Sequence, residues 1–484
     1  MTDEKYDFGM VGLGVMGSNL LMNMADHGYA VIGYDKDPGK TKLFETSAES
    51  GSVVKGVNTL QEMIDLLKLP RKIMMLVPAG PPVDSVISEL VPLLSKGDII
   101  IDGGNSHYID TLKRIELLQN KGFHFMGIGI SGGEEGARKG PSIMPGGDLE
   151  AYKEIEPILK DIAAKVNGQP CVAFLGKNAA GHYVKMVHNG IEYAIMQLIS
   201  ECYDLLHNGK NYSNQEIHNV FSNWNRNEMK SFLLEISATI FQVKDEKVPE
   251  KYLVDMILDK AGAKGTGKWT SQEGLDLAMP IPSIDTAVMM RNLSSLVAER
   301  KKASEIYTAG FHDIDIDRST FENLLFDALY FSIVVSYIQG LALLSVASKD
   351  LQMEIPLESV VDVWRGGCII RSGFLEVFKK SYERSNFSNL LLDKNIADLL
   401  MPKLDGLQKV ASLSALNNFP SASLMAALNY FNAYRRTLLP TNLIQAQRDF
   451  FGAHTYQRID REGVFHSEWA NSSETVSTKP LDTN

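Results

Sequence analysis

Phe8-Gly9-Met10-Val11-Gly12-Leu13-Gly14-Val15-Met16-Gly17 is a strand-length apolar run ending in a G-x-G-x-x-G turn, and the helical pattern Asn19 to Met24 follows it. Each glycine has a separate task in such a turn. Gly12 allows the tight bend, Gly14 lets the backbone approach a pyrophosphate, and Gly17 permits close packing of helix on strand. The helix start then offers unpaired N–H groups and a positive dipole end to phosphates. A second apolar run, Ala30 to Tyr34, leads into Asp35, which lies 18 residues past Gly17. That is close to the roughly 20-residue spacing of the carboxylate that accepts a ribose 2′-hydroxyl. The stretch therefore predicts a dinucleotide-binding βαβ unit.

Strand-length runs continue at Lys72–Val77 and Asp98–Asp102, separated by helix-length patterns. This alternation predicts an α/β Rossmann-type N-terminal domain with a parallel sheet over residues 1–180. After Gly181 helical periodicity dominates, which predicts a large all-α domain over 181–439. Trp224 and Trp364 each follow a long apolar helical pattern and a Val-Phe or Val-Val pair, a weak sign of internal duplication. From Pro440 a C-terminal tail carries aromatic and basic residues, and the Ser/Thr-rich end, Asn471 to Asn484, is expected to be disordered.

The whole chain has 484 residues, room for two or three domains, with 44% hydrophobic and 22% charged residues, an ordinary globular mix. Lys and Arg total 48 against 59 Asp and Glu, a net charge of −11. Such a surface repels phosphate backbones, so no nucleic-acid or membrane partner is expected, although local basic pockets for small anions remain open. Cys171, Cys202 and Cys368 are few, odd in number and far apart, which argues against disulfides or a zinc site and suits a reducing compartment. The N-terminus lacks the basic-then-apolar pattern of a signal peptide. The apolar stretch Phe331 to Ser348 is interrupted by serines, Gln339 and Gly340, and reads as a buried helix. A cytoplasmic protein is the resulting expectation.

Three further segments carry chemistry. Asp102-Gly103-Gly104-Asn105-Ser106 ends a strand on the side where open α/β sheets bind ligands. Ser131-Gly132-Gly133 lies in the glycine-rich stretch Gly127 to Gly147, which suggests either an N–H nest for anions or an irregular loop. In Lys185-Met186-Val187-His188-Asn189-Gly190-Ile191-Glu192-Tyr193, a helix places Lys185, His188 and Glu192 within about 60° of one another. Asn189 and Tyr193 widen that face to about 140°. His, Asn and Tyr beside Lys and Glu on one face suggest a polar active-site wall.

These pieces, with KGTGKWT at Lys264, WRGGCIIRS at Trp364 and QAQRDFFGAHTY at Gln445, stand in family order across nearly the whole chain. The chain resembles the 6-phosphogluconate dehydrogenases. The resemblance implies oxidation of 6-phosphogluconate at C3, loss of CO2 and protonation at C1 to give ribulose 5-phosphate, in the pentose phosphate route and without a metal. It gives Lys185 the role of general base, and later acid, and Glu192 that of the acid at C1. Substrate contacts are implied for Asn105, Ser131, Gly132, Gly133, His188 and Asn189, with the phosphate on Tyr193, Lys264, Arg291 and Arg448 and with His454 nearby. Arg448 and His454 would reach the partner's site, which makes a homodimer necessary. Cofactor contacts are implied for Gly12, Leu13, Gly14, Val15, Met16, Gly17, Asp35, Lys36, Asp37, Val77, Pro78, Ala79 and Asn105. NADP-using members usually carry Asn-Arg-Thr where this chain has Asp35-Lys36-Asp37, and many carry Lys at Pro78. Either NAD or NADP is expected as cofactor, and these losses of positive charge favour NAD. A short β-hydroxyacid dehydrogenase would share the glycine turn, the SGG loop and the helix lysine, but it lacks KGTGKWT and the tail motif.

Overall fold

The computed structural model describes residues 5–226, 228–308, 310–469 and 478–480. Seven strands form the main sheet: β1 (Phe8–Val11), β2 (Val31–Tyr34), β3 (Val54–Val57), β4 (Lys72–Met75), β5 (Ile99–Asp102), β6 (His124–Ser131) and β7 (Ser142–Gly147). Their order is β3-β2-β1-β4-β5-β6-β7. Strands β1 to β6 pair in parallel and β7 runs antiparallel to β6. Side chains alternate between two cores: Phe8, Met10, Ile99 and Ile101 enter one, while Val11, Ile73 and Ile100 enter the other. Burial on both faces explains why the strands read as continuous apolar runs. Helices start where the sequence caps them. Asp37 accepts the Gly39 N–H ahead of Pro38–Thr46, and Ser213 with Glu216 forms a reciprocal capping box.

The stretch Gly127 to Gly147 is where the loop reading fails. It forms β6, a short helix Gly133–Lys139, and β7. The glycines sit in these strands because the helix Ala180–Lys210 lies directly on them. A Cβ on Gly129 would come within 2.3 Å of Lys185 Cβ, and one on Gly146 within 2.1 Å of the Gly181 nitrogen. Reciprocally, a Cβ on Gly181 would meet the Gly127 oxygen at 2.2 Å. Glycine weakens an isolated strand, but here it removes the side-chain layer between helix and sheet. This contact lowers the 31-residue helix, with Lys185 on its underside, onto the sheet.

The helix Arg318–Asp350 is long and apolar enough to cross a membrane by length and composition, yet 94% of its most apolar window is buried in protein. Its packing partners include the helices Ala180–Lys210 and Leu404–Leu416. The hint of duplication has a structural counterpart. Each long helix precedes a helix ending at a buried tryptophan, Asn214–Trp224 and Leu357–Trp364. Beyond them Ser231 and Ser372 pair in an antiparallel bridge, and the helices Phe232–Ile240 and Phe374–Arg384 begin.

Contacts divide the chain into a unit ending at Leu428 and a second unit, Asn429–Asn484. The anticipated boundary near 180 falls inside the first unit, because the helix Ala180–Lys210 packs on β6 and β7. In the second unit the helix Thr441–Gly452 is followed by short antiparallel strands Tyr456–Gln457, Val464–Ser467 and Thr478–Pro480. Asp449 is fully buried and organises this unit. Its carboxylate accepts the N–H groups of Thr455 and Ser467 and the Trp469 indole, and pairs with His466. Burial opposes its charge, but these bonds prevail and hold its pKa at about 2. Thr478–Pro480 is a strand, contrary to the disorder expected of the Ser/Thr-rich end; the rest of 471–484 lies outside the described residues.

Candidate active site

The glycine turn sits where strand order reverses, between β1 and β4. Gly12 has φ +98°, and a Cβ there would lie 2.5 Å from the Leu76 oxygen. A Cβ on Gly17 would overlap the Gly12 oxygen at 2.0 Å, whereas one on Gly14 would meet nothing within 4 Å. Two glycines thus serve packing, and Gly14 faces open space. Among the described residues no side chain caps the helix Val15–Asp26 that starts there, so its first N–H groups are available to phosphate. Beside it opens a cleft of about 580 Å3, lined among others by Gly12, Gly14, Asp35, Lys36, Lys40, Val77, Pro78 and Glu89. These features fit a dinucleotide.

Asp35 is held from both oxygens. One accepts the Leu13 N–H at 2.8 Å, the other the Asp37 N–H at 2.9 Å. Asp37 does not line the cleft, since its carboxylate is spent on the helix cap at Gly39. Lys40 and Glu89 line it instead, so the cleft carries two acids, Asp35 and Glu89, and two bases, Lys36 and Lys40. The two-to-one excess of acid read from Asp35-Lys36-Asp37 does not hold in three dimensions. Val15, Pro78 and Ala79 are exposed at the turn and in the loop after β4, and Met16 packs partly against the core.

Asn105 owes its position to a buried ion pair. Asp102 at the end of β5 accepts from the Gly104 N–H, the Ser106 hydroxyl and Arg114 Nη1. Arg114 also binds the Asp84 carboxylate and the Gly80 carbonyl, tying this loop to the one after β4. His182 completes the support by bonding the Asp102 carbonyl and the Thr111 hydroxyl.

Asn105 and the central helix share a second cavity of about 600 Å3, with Asn189, Glu192, Tyr193, Lys264, Thr266 and Arg291 on its wall. A chain of contacts runs behind it. Ser131 Oγ lies 3.3 Å from His188 Nε2, His188 Nδ1 lies 2.9 Å from Asn189 Oδ1, and Asn189 donates to Thr266 Oγ1 at 3.1 Å. His188 is fully buried and packs edge-on against Trp364. Gly132 and Gly133 have φ of +134° and +64°, and a Cβ on Gly132 would lie 2.7 Å from the Gly367 oxygen, so the WRGG loop backs the SGG turn. The Arg291 guanidinium stacks 3.5 Å above the Tyr193 ring and donates to the Gly262 carbonyl. Thr266 was not singled out from the sequence; a threonine two residues after a lysine gives no signal until its helix is seen against Asn189.

Lys185 is buried on the same helix face, and no hydrogen bond or ion pair within 4 Å is found for its ammonium among the described residues. Burial lowers its pKa, with Glu192 and Cys368 opposing at longer range. Glu192 lies 3.9 Å from His188 Nδ1. Burial raises its pKa, while Lys185 and Arg291 pull it down. A base favoured toward neutrality and an acid favoured toward protonation are thus held on one helical face, about two turns apart. Arg448 and His454 belong to the second unit. Arg448 is exposed on the helix Thr441–Gly452 and bonds Gln445, and His454 stacks edge-on to Phe451.

A dinucleotide cleft at a sheet switch point, and a cavity lined by Glu192, Lys264 and Arg291 with Lys185 buried on the helix that supplies part of its wall, define a nicotinamide-nucleotide-dependent oxidoreductase acting on an anionic substrate. Comparison with known proteins specifies the family. The profile of the NAD binding domain of 6-phosphogluconate dehydrogenase matches residues 7–176, and that of the 6-phosphogluconate dehydrogenase C-terminal domain matches residues 181–469. The chain belongs to the 6-phosphogluconate dehydrogenase family. It is 46% identical to the NADP(+)-dependent, decarboxylating 6-phosphogluconate dehydrogenase of Bacillus subtilis, over 96% of this chain and 99% of that one. It is 47% identical to the decarboxylating 6-phosphogluconate dehydrogenase of Synechocystis, over 96% and 98%. The solved Plasmodium falciparum 6-phosphogluconate dehydrogenase, studied apo, with NADP+ and with 6-phosphogluconate, superposes with a TM-score of 0.93 at 43% identity, over 96% of this chain and all of that one.

Proposed function

We propose that this chain catalyses the oxidative decarboxylation of 6-phospho-D-gluconate to D-ribulose 5-phosphate and CO2. The observation that carries the reading is Lys185, buried with no hydrogen-bond or ion-pair partner among the described residues, on the helix face that holds His188, Asn189 and Glu192 and whose cavity is also lined by Lys264 and Arg291. When bound, the dinucleotide supplies the hydride acceptor for C3. Lys185 takes the C3 hydroxyl proton as the hydride leaves. Its ammonium then offsets the negative charge that builds on the C3 oxygen as CO2 departs, work otherwise suited to a metal ion. Glu192 delivers a proton to C1 of the enediol. Ser131, Gly132 and Gly133 hold the carboxylate end, Asn105, His188 and Asn189 the hydroxyls, and Tyr193, Lys264 and Arg291 the phosphate. Lys gives that dianion a point charge and Arg a fork. A steady-state assay with 6-phosphogluconate, following CO2 and reduced nicotinamide together, tests this. Equal yields of the two support it, and reduction without CO2 would sink it.

The cofactor is NAD or NADP, with NAD favoured by Asp35, whose carboxylate is fixed at the end of β2 where the ribose 2′-hydroxyl is read. Asp35→Asn should raise the NADP:NAD ratio of kcat/KM by about tenfold, near 1.4 kcal/mol for one repulsive charge removed. An unchanged ratio in steady-state assays with both cofactors would reject Asp35 as the discriminator.

The working form is a homodimer with shared sites, placed in the cytoplasm. Residues 1–180 serve the cofactor, 181–439 the substrate and dimer contact, and 440–484 the partner. Supporting this, Leu443, Ile444, Phe450 and Phe451 form one exposed stripe on their helix, at 55–72% exposure. The first unit separately exposes Ile257, Leu258, Ile306 and Tyr307. Apolar surface of this extent calls for cover.

A further inference from the structure

Both lysines that line the dinucleotide cleft are already engaged by carboxylates of the same cleft. Lys40 Nζ lies 3.8 Å from Asp35, and Lys36 Nζ lies 3.3 Å from Glu89. Glu89 is far from this strand end in sequence. It sits on the helix Pro81–Leu90, across the cleft from β2, and the Ser85 hydroxyl donates to the same oxygen that holds Lys36. Lys36 therefore spans the cleft, from the strand end where a 2′-phosphate would arrive to the opposite wall.

The two cofactors differ only in that phosphate. NAD leaves the Lys36–Glu89 bridge intact. The 2′-phosphate of NADP must draw Lys36 away from Glu89 before the lysine can serve it. Discrimination follows because one lysine cannot pair fully with both, so NADP alone meets the cost of breaking the Lys36–Glu89 pair. Asp35 cannot perform this exchange, since two backbone N–H groups fix its oxygens.

We infer that Glu89 is a specificity-determining residue of the cofactor site, acting through Lys36 to disfavour the 2′-phosphorylated dinucleotide. The inference rests on the dinucleotide reading of the cleft but not on which cofactor the native enzyme prefers. The native NADP:NAD ratio tests that preference, whereas the change of ratio on substitution tests Glu89.

The experiment is a double-mutant cycle on the full-length protein, with kcat/KM measured for NAD and NADP at low salt in Glu89→Gln, Lys36→Gln and the double variant. Glu89→Gln should raise the NADP:NAD ratio about three- to tenfold, the scale of a partly exposed charge acting on a phosphate. Lys36→Gln should lower the ratio. In the double variant most of the gain from Glu89→Gln should vanish, because the freed lysine is gone. The Glu89→Gln gain should also shrink as salt is raised, since the groups are exposed. An unchanged ratio in Glu89→Gln would overturn the inference. A full gain surviving in the Lys36→Gln background would overturn the route through Lys36.

Discussion

Lys185→Met is expected to lower kcat by about 10²–10⁴-fold, the range for loss of a general base. Substrate affinity, read by calorimetry with 6-phosphogluconate, should stay within a few fold. Methionine matches the lysine stem in length, and Lys185 has no hydrogen-bond partner among the described residues to strand. The fold should therefore tolerate the change, which separates a chemical defect from a structural one. The pH profile supplies a second readout. Lys185 must be neutral to accept the hydroxyl proton, so kcat/KM rises as pH climbs through its pKa. Burial lowers that pKa from its ordinary 10.5, which brings the limb toward neutral pH. Glu192 must be protonated to serve C1, so activity falls as pH climbs through its burial-raised pKa. The two limbs belong to a coupled pair, because Lys185 lowers Glu192 and Glu192 raises Lys185. Lys185→Met should erase the acid limb. A near-normal kcat with that limb intact would remove Lys185 from the chemistry.

Arg448→Ala should raise KM for 6-phosphogluconate strongly while kcat changes less, by about 2–5 kcal/mol for the loss of one partner of a desolvated charge pair. The residue is exposed on its helix and bonded only to Gln445 among the described contacts, so its loss should not unfold the unit that carries it. That unit is held by Asp449, whose buried carboxylate gathers Thr455, Ser467, His466 and Trp469. Mixing Arg448→Ala with Lys185→Met subunits gives the decisive measurement. If Arg448 serves the partner's site, each variant alone is impaired. A mixed dimer then has one site with both residues intact and recovers activity at low substrate. An unchanged KM, or mixtures no more active than their parts, would take the tail out of the site.

Much of the cofactor site was legible because its signals are local. The order of strand, glycine turn and helix between Phe8 and Met24 places three glycines with distinct steric tasks. Their geometry agrees, with Gly12 and Gly17 against backbone oxygens and Gly14 in the open. The face of Lys185, His188, Asn189, Glu192 and Tyr193 follows from helical period alone, and the helix Ala180–Lys210 carries all five. The charge balance was not legible. Asp37 looked like a second acid at the cofactor but spends its carboxylate on a cap, while Lys40 and Glu89 enter from positions that no spacing rule marks.

The opposite error occurred between Gly127 and Gly147. Glycine has poor strand propensity, and by itself the segment reads as an anion-binding nest or an irregular loop, not as strands. Only the helix laid on it makes glycine the required residue, with would-be Cβ contacts of 2.1–2.3 Å along the seam. The sequence by itself determined the sheet's first strands, the phosphate turn and which side chains share a helix face, because these depend on residues within a few positions of one another. Tertiary structure alone decided how deep Lys185 sits, what holds Asn105, and which charges meet in the cleft. Those depend on close approach between segments far apart in the chain, where burial sets the pKa of a group and a neighbour's charge sets its partner.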